Sequence, residues 1–238
     1  MGILQRRYAM TRFGKLELLA GAILFAAFCL RIPAAQPKHF LRYIEFQATV
    51  RTFKAAFEQR KDIDILDEPV VSSGTIVVSK PGKLWWNFDR PEKRQVVSDG
   101  KKIWDYDPEL ETVEVYDVSA NPAILRAVNT FKQLLGIGGE KIINDYKVTT
   151  HAKDGNISFT LVPRTKELKK DIMQIVITTD TEYHLLETSF TASDKSQTRI
   201  KFSKLEENVP VDKTLFSFTP PAGVSVEYPM KKDRDKRK

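Results

Sequence analysis

The chain has few of the residues that form disulfides, metal sites and catalytic centres. Cys29 is its only cysteine, so neither an intrachain disulfide nor a cysteine-based zinc site can form. The three histidines, His39, His151 and His184, lie far apart in the sequence and share no ligand spacing. There is no nucleophile elbow, and the glycines at 136–139 follow a predicted helix, which is typical of a loop rather than a phosphate site. We therefore predict no metal, no cofactor and no enzymatic activity.

The central part of the chain also lacks net charge. The formal net charge is +7, but residues 1–35 contribute +4 and residues 231–238 another +4, which leaves about −1 between them. A nucleic-acid groove requires a basic face on the domain. We therefore predict no nucleic-acid partner.

The first 35 residues predict a signal peptide. Basic residues precede an uncharged apolar run of 13 residues at 18–30, whereas a membrane span needs about 20. Small residues at 34 and 35 offer a cleavage site. Two other interpretations stay open: the segment could remain as an uncleaved anchor, or Cys29 could be lipidated, although the bulky Phe28 before it disfavours lipidation. We predict one domain over residues 36–228 and a disordered basic tail over 229–238.

Alternating apolar residues predict strands through most of this domain. From Gly74 to Tyr116 a period of two is interrupted by the turn sequences Pro81-Gly82 and Asp99-Gly100, which indicates antiparallel hairpins. The pattern resumes at 145 around an Asp154-Gly155 turn and continues to residue 205. A long antiparallel sheet must curve because its strands twist, so its inner face has to be filled.

Two amphipathic helices are predicted to cover that face, at 38–50 and at 121–128. Phe40, Leu41 and Ile44 fall at helical spacing in the first. A further turn of helix is predicted at 131–135. The fold class is therefore mainly β, with a curved antiparallel sheet of ten or eleven strands and a helical lid.

Aromatic residues are concentrated in the hairpins. Leu84, Trp86 and Phe88 lie on one face of a strand and Trp85 on the other, while Trp104 shares a face of a later strand with Tyr106. Two interpretations are open at this point. The residues could form a packed core under the helices, or they could line a hydrophobic cavity suited to acyl chains.

Several of these runs resemble the outer-membrane lipoprotein carrier protein family (LolA). The most specific is V-S-D-G-K-K-I-W-D-Y-D-P-E-L-E-T-V at 97–113, supported by G-T-I-V-V-S-K-P-G-K-L-W-W at 74–86 and F-S-F-T-P-P-A-G-V at 216–224. An amphipathic helix followed by F-K-A-A-F-E-Q at 53–59 matches the start of the family's domain. The likeness covers about residues 38–226 in order.

This resemblance implies an unclosed β-barrel of about eleven strands capped by helices. It implies a monomeric periplasmic carrier that binds lipoprotein acyl chains without covalent chemistry. Its partners would be an inner-membrane lipoprotein-releasing ABC transporter, which supplies the cargo, and an outer-membrane lipoprotein receptor, which accepts it. The remaining alternative is a periplasmic sensor or protein-interaction module on the same scaffold, held by an uncleaved N-terminal segment.

The resemblance also suggests roles for particular residues. The expected acyl-chain cavity residues are Leu84, Trp86, Phe88 and Trp104. The expected lid residues are Leu41, Ile44, Ile124 and Leu125. Lys80 stands where the family often has an arginine that holds the lid closed by bonding its backbone. Because lysine has fewer and less directional donors than arginine, the latch expected at Lys80 could be built differently here.

Overall fold

The computed structural model describes residues 38–63, 65–120, 122–135, 137, 139 and 141–229. The predicted signal peptide and all but the first residue of the predicted basic tail lie outside these residues. The described strands are β1 (Thr52–Asp62), β2 (Val70–Ser79), β3 (Lys83–Arg90), β4 (Arg94–Ser98), β5 (Lys102–Asp107), β6 (Thr112–Asp117), β7 (Tyr146–Lys153), β8 (Asn156–Pro163), β9 (Ile172–Asp180), β10 (Leu185–Ala192), β11 (Gln197–Glu207) and β12 (Ser225–Glu227). The described helices are α1 (Lys38–Thr49), α2 (Pro122–Leu134), α3 (Lys141–Asp145), α4 (Lys166–Lys169) and a 3₁₀ turn at Lys213–Phe216.

All the described strands belong to one sheet, in the order β12-β6-β5-β4-β3-β2-β1-β11-β10-β9-β8-β7. Neighbouring strands are antiparallel, except that β12 runs parallel to β6. The edge strands β12 and β7 do not pair with each other, so the sheet does not close. The prediction of a mainly β, unclosed antiparallel barrel is confirmed. The sheet has twelve described strands, one more than the expected count of about eleven. The missed strand is β12, which has only three residues and no alternating pattern.

Bulges in the central strands help the sheet to curve. The pairing of β1 with β11 shifts between Lys54 and Ala56, and that of β2 with β3 shifts between Ser73 and Gly74. A bulge bends its strand and increases the local twist. A Cβ on Gly74 would lie 1.9 Å from the backbone oxygen of Asn87, so only glycine permits this close approach.

One face of the sheet, which we call the inner face, packs against α1. Phe40 and Tyr43 of α1 lie 5.2 and 5.1 Å, between ring centroids, from Phe159 of β8, and all three are fully buried. The inward side of α1 consists of Phe40, Tyr43, Ile44 and Gln47, at the i, i+3, i+4, i+7 spacing of one helix face. Leu41 is 37% exposed, so the expectation that it faces the sheet is wrong.

The opposite, outer face of β3 to β6 carries a second apolar layer. Val97, Val113 and Val115 are buried there, and the 3₁₀ turn covers them with the buried Phe216. The ring of Phe218 lies 5.5 Å from that of Tyr106. The irregular segment before residue 219 therefore seals the outside of the sheet.

The second predicted helix is longer than expected. The sequence predicts two separate helical pieces, at 121–128 and 131–135, but α2 runs continuously from Pro122 to Leu134. No glycine or proline interrupts 123–135, so nothing in the sequence ends the helix earlier. Residue 121, the first residue of the predicted helix, lies outside the described residues.

Candidate functional site

A cavity of about 530 Å³ lies between α2 and the inner face of β1 to β5; we call it the main cavity. Its apolar lining includes Val78, Leu84, Trp86, Phe88, Val96, Ile103, Val128, Phe131, Leu135 and Ile137. A second space of about 430 Å³, the side cavity, lies between α2 and β1, β10 and β11. Both spaces are bordered by Trp86 and Phe131.

Aromatic rings form the wall where the two spaces meet. Trp86 stacks on Phe88 at 5.0 Å between ring centroids and lies 5.1 Å from Phe131 of α2. Phe57 meets the edges of Trp86 and Phe88 at 5.5 and 5.1 Å. Burial of large rings in offset and edge-to-face pairs makes a rigid apolar surface. The rings therefore present a continuous apolar surface to both spaces.

Three of the four residues expected in the cavity line it, and the fourth does not. Leu84, Trp86 and Phe88 lie in the lining. Trp104 pairs with Val97, which in turn pairs with Trp85. Directly paired residues share a face of an antiparallel sheet, so Trp104 lies with Trp85 on the outer face. The expectation for Trp104 is wrong, and its neighbour Ile103 takes the inner position.

The expected lid residues divide in a similar way. Ile44 is buried in the core beneath α1 and Ile124 is half-buried, but Leu125 is 43% exposed and faces away from the cavity. The residues of α2 that reach the main cavity include Val128 and Phe131. Sequence reasoning missed these residues, although Ile124, Val128 and Phe131 have the i, i+4, i+7 spacing of one face.

Two polar contacts connect α2 to the sheet, one near each end of the helix. The Nε of Arg126 lies 3.0 Å from Oδ2 of Asp171, just before β9. Near the other end, the hydroxyl of Tyr146 donates a 2.6 Å hydrogen bond to Oε1 of Gln133. Burial raises the pKa of Tyr146 to about 12, so the hydroxyl keeps its proton at neutral pH. An exposed ion pair such as Arg126–Asp171 contributes little to stability.

Lys80, the expected latch, reaches the last turn of α1. Its Nζ donates a hydrogen bond of 2.5 Å to the backbone oxygen of Gln47, and Oε1 of Gln47 lies 3.5 Å away. The last carbonyls of a helix lack intrahelical partners, and the helix dipole favours a cation there. The structure thus brings Lys80 to α1 and not to α2.

The surroundings of Lys80 are partly buried and contain a carboxylate. Burial lowers the pKa of Lys80 to about 8, while the negative charge of Glu207 opposes the decrease. Glu207 is also hydrogen-bonded to Nδ1 of His184 at 2.7 Å. Lys80 is therefore mainly protonated at neutral pH and titrates under mildly alkaline conditions.

We expect the contribution of Lys80 to the free energy of unfolding to increase as pH rises. Its pKa in the folded protein, about 8, is below its ordinary value of 10.5. Between these pH values the unfolded chain binds more protons, so the contribution of Lys80 to the free energy of unfolding increases as pH rises. The measurement compares the free energies of unfolding of the wild type and Lys80→Met in urea at several pH values. Between pH about 8 and 10.5 the wild type should become more stable relative to the variant. Lys101→Met, at an exposed turn, should give a flat difference; a flat or decreasing difference for Lys80→Met would contradict the assignment.

The described residues contain no set of three or more His, Cys, Asp or Glu side chains that could hold a metal ion. Asp107, a carboxylate near the cavity, accepts hydrogen bonds at Oδ1 from the backbone amides of Glu109 and Leu110 at 2.9 Å each, and so serves a turn. In the same part of the chain, none of the helices combines the length and hydropathy required to cross a membrane.

Comparison with known proteins gives consistent matches. A family model described as outer membrane lipoprotein carrier protein LolA matches residues 48–219. An outer-membrane lipoprotein carrier protein of Dechloromonas aromatica is 32% identical over 232 residues, covering 95% of this chain and 98% of that protein. One of Methylibium petroleiphilum is 28% identical over 211 residues, covering 87% and 97%. The crystal structure of a LolA superfamily protein from Nitrosomonas europaea aligns with a TM-score of 0.41 at 8% identity, covering 78% and 99%.

Proposed function

The chain belongs to the LolA family of outer-membrane lipoprotein carrier proteins, and from this premise we propose that it carries lipoproteins through the periplasm. In this proposal the main cavity holds the acyl chains of the cargo. An inner-membrane lipoprotein-releasing ABC transporter supplies the cargo, and an outer-membrane receptor accepts it. The family is named for transport and not for a reaction, which agrees with the prediction that the protein is not an enzyme.

The observation that carries the proposal is the aromatic wall beneath α2. A cavity of about 530 Å³ is within the range of about 300–1,000 Å³ that is usual for small-molecule sites. Burial of hydrocarbon contributes about 0.8 kcal/mol for each CH₂ group. An acyl chain along Trp86, Phe88 and Phe131 therefore gains affinity from its length, without requiring a specific polar contact.

The same geometry suggests how cargo enters. α2 lies over the cavity as a lid, and its link to Asp171 through Arg126 is exposed. Displacement of α2 would uncover the wall without breaking hydrogen bonds between strands. In the proposal Lys80 acts as a latch on α1, holding that helix in place while α2 moves.

Co-purification tests the proposal directly. Protein purified from cells that express the full chain should carry lipoprotein or acyl lipid detectable by mass spectrometry. Depletion of the protein from its own cells should leave lipoproteins stalled at the inner membrane. A purified protein that carries no lipid and excludes acyl-chain probes, with lipoprotein sorting unchanged on depletion, would contradict it.

A further inference from the structure

The inner face of the sheet carries a row of polar side chains within the apolar site. Gln59 of β1 pairs directly with Ser72 of β2, and Lys61 of β1 pairs directly with Thr198 of β11. Gln59 and Lys61 border both the main and the side cavity, Ser72 borders the main cavity and Thr198 the side cavity. We call these four residues the polar row.

The polar row has unused hydrogen-bonding capacity. Gln59 is 8% exposed, and its side-chain amide, which has no hydrogen-bond partner in the described part of the chain, keeps accessible surface on the two cavities. The indole Nε1 of Trp86 is likewise unpartnered among the described residues, but this atom has almost no accessible surface and therefore does not face the cavities. Buried polar groups are normally hydrogen-bonded, and each exception requires an explanation. A ligand with oxygen acceptors beside Gln59 would provide one.

The charge around the main cavity favours an anion. Five lining residues are cationic and two are acidic, although the domain as a whole is close to neutral. They are Lys61, Lys83, Lys93, Arg94 and Lys132, against Glu92 and Asp107. The ammonium group of Lys83, however, lies over the outer-face ring of Phe216, 5.9 Å from its centroid. Arg94 is already paired with Asp105. Lys61, which is exposed near the end of β1 where the cavities open, forms no ion pair with any described residue, so its charge is available to a ligand.

We propose that the polar row binds the carboxylate of a fatty acid whose chain lies along Trp86, Phe88 and Phe131. Lys61 supplies the charge, and the Gln59 amide supplies a neutral N–H donor. An ammonium group only donates hydrogen bonds, and a carboxamide can donate two, so both can serve a group that only accepts them, as an ionised carboxylate does. Charge-assisted hydrogen bonds are about twice as strong as neutral ones. A free fatty acid is thus a second ligand class, beyond lipoprotein cargo.

This inference depends on the acyl-chain cavity of the proposed function but adds a preference for charge. The ester carbonyls of a lipoprotein's diacylglycerol group could meet the same donors, but they carry no charge and would gain less from Lys61 than a carboxylate does. Dodecanoate and its methyl ester present the same chain with and without that charge. Their comparison separates the two sources of acceptor oxygens.

The experiment measures displacement of an uncharged fluorescent probe from the purified full-chain protein, stripped of lipid, at neutral pH. We expect dodecanoate to bind about tenfold more tightly than methyl dodecanoate, as a charge-assisted contact requires. Lys61→Gln should weaken dodecanoate about tenfold and leave the ester within about twofold. Lys54→Gln is the matched control: it removes one charge from the same strand, but Lys54 lies on the outer face, half-exposed beside Glu206, where such pairs contribute little.

Gln59→Leu provides an independent readout, because it removes a neutral donor and should weaken both ligands. Equal binding of acid and ester, or a loss of affinity shared by Lys61→Gln and Lys54→Gln, would overturn the fatty-acid site while leaving the acyl cavity intact. Failure of both ligands to displace the probe would overturn both the fatty-acid site and the proposed function.

Discussion

Replacing Phe131 with aspartate is expected to weaken acyl-chain binding by about 100-fold or more. Removal of a ring that contacts an apolar ligand loses about 1.5–3 kcal/mol, and each 1.4 kcal/mol is about tenfold in affinity. The new carboxylate would also face Trp86 and hydrocarbon, where an unpaired charge is costly. Because Phe131 is half-buried on α2 and contributes no hydrogen bond between strands, the sheet should still fold.

Leu125→Asp is the matched control for this prediction. It places the same charge on the same helix, at a side chain that is 43% exposed and outside both cavity linings. Titration with an acyl-chain probe should show affinity within about twofold of the wild type, since exposed substitutions have small effects. Similar losses in the two variants would mean that charge on α2, and not the Phe131 wall, controls binding.

The strands and the general architecture could be predicted from sequence because their signals are local. Alternation through Gly74–Tyr116 identified β2 to β6 apart from small differences in their ends. The Asp154-Gly155 turn has positive φ at both residues, 52° and 76°, as an Asp-Gly hairpin requires. Such patterns depend only on neighbours in the chain.

The face of a strand could not be assigned from β5 alone. Ile103, Trp104 and Tyr106 are all large and apolar, so alternation does not distinguish the cavity side from the outside. The outer side of a barrel strand is expected to be polar, but here the segment before residue 219 covers it with Phe216 and Phe218. Only the register through Val97 to Trp85 places Trp104 outside.

The resemblance implies that Lys80 bonds the backbone of the lid, but the sequence does not indicate which helix or which carbonyl it contacts. Gln47 and Lys80 are 33 positions apart, and the bond is to a backbone oxygen, which leaves no side-chain pattern. The polar row combines three strands that are distant in sequence, so Gln59, Ser72 and Thr198 read as ordinary strand residues. Long-range register, rather than local propensity, assembles the candidate site.

Phe159→Ala is expected to lower the free energy of unfolding by about 3–5 kcal/mol, the usual cost of removing a buried aromatic ring. The ring is fully buried and contacts Phe40 and Tyr43, so its loss leaves a cavity where α1 packs on the sheet. Val162→Ala, on the same strand but 39% exposed on the other face, should cost no more than about 0.5 kcal/mol. Urea unfolding of the two variants measures the difference. Removal of a buried aromatic contact of this size normally costs more than about 1 kcal/mol. A smaller loss for Phe159→Ala would therefore mean that α1 is held mainly by its polar contact with Lys80.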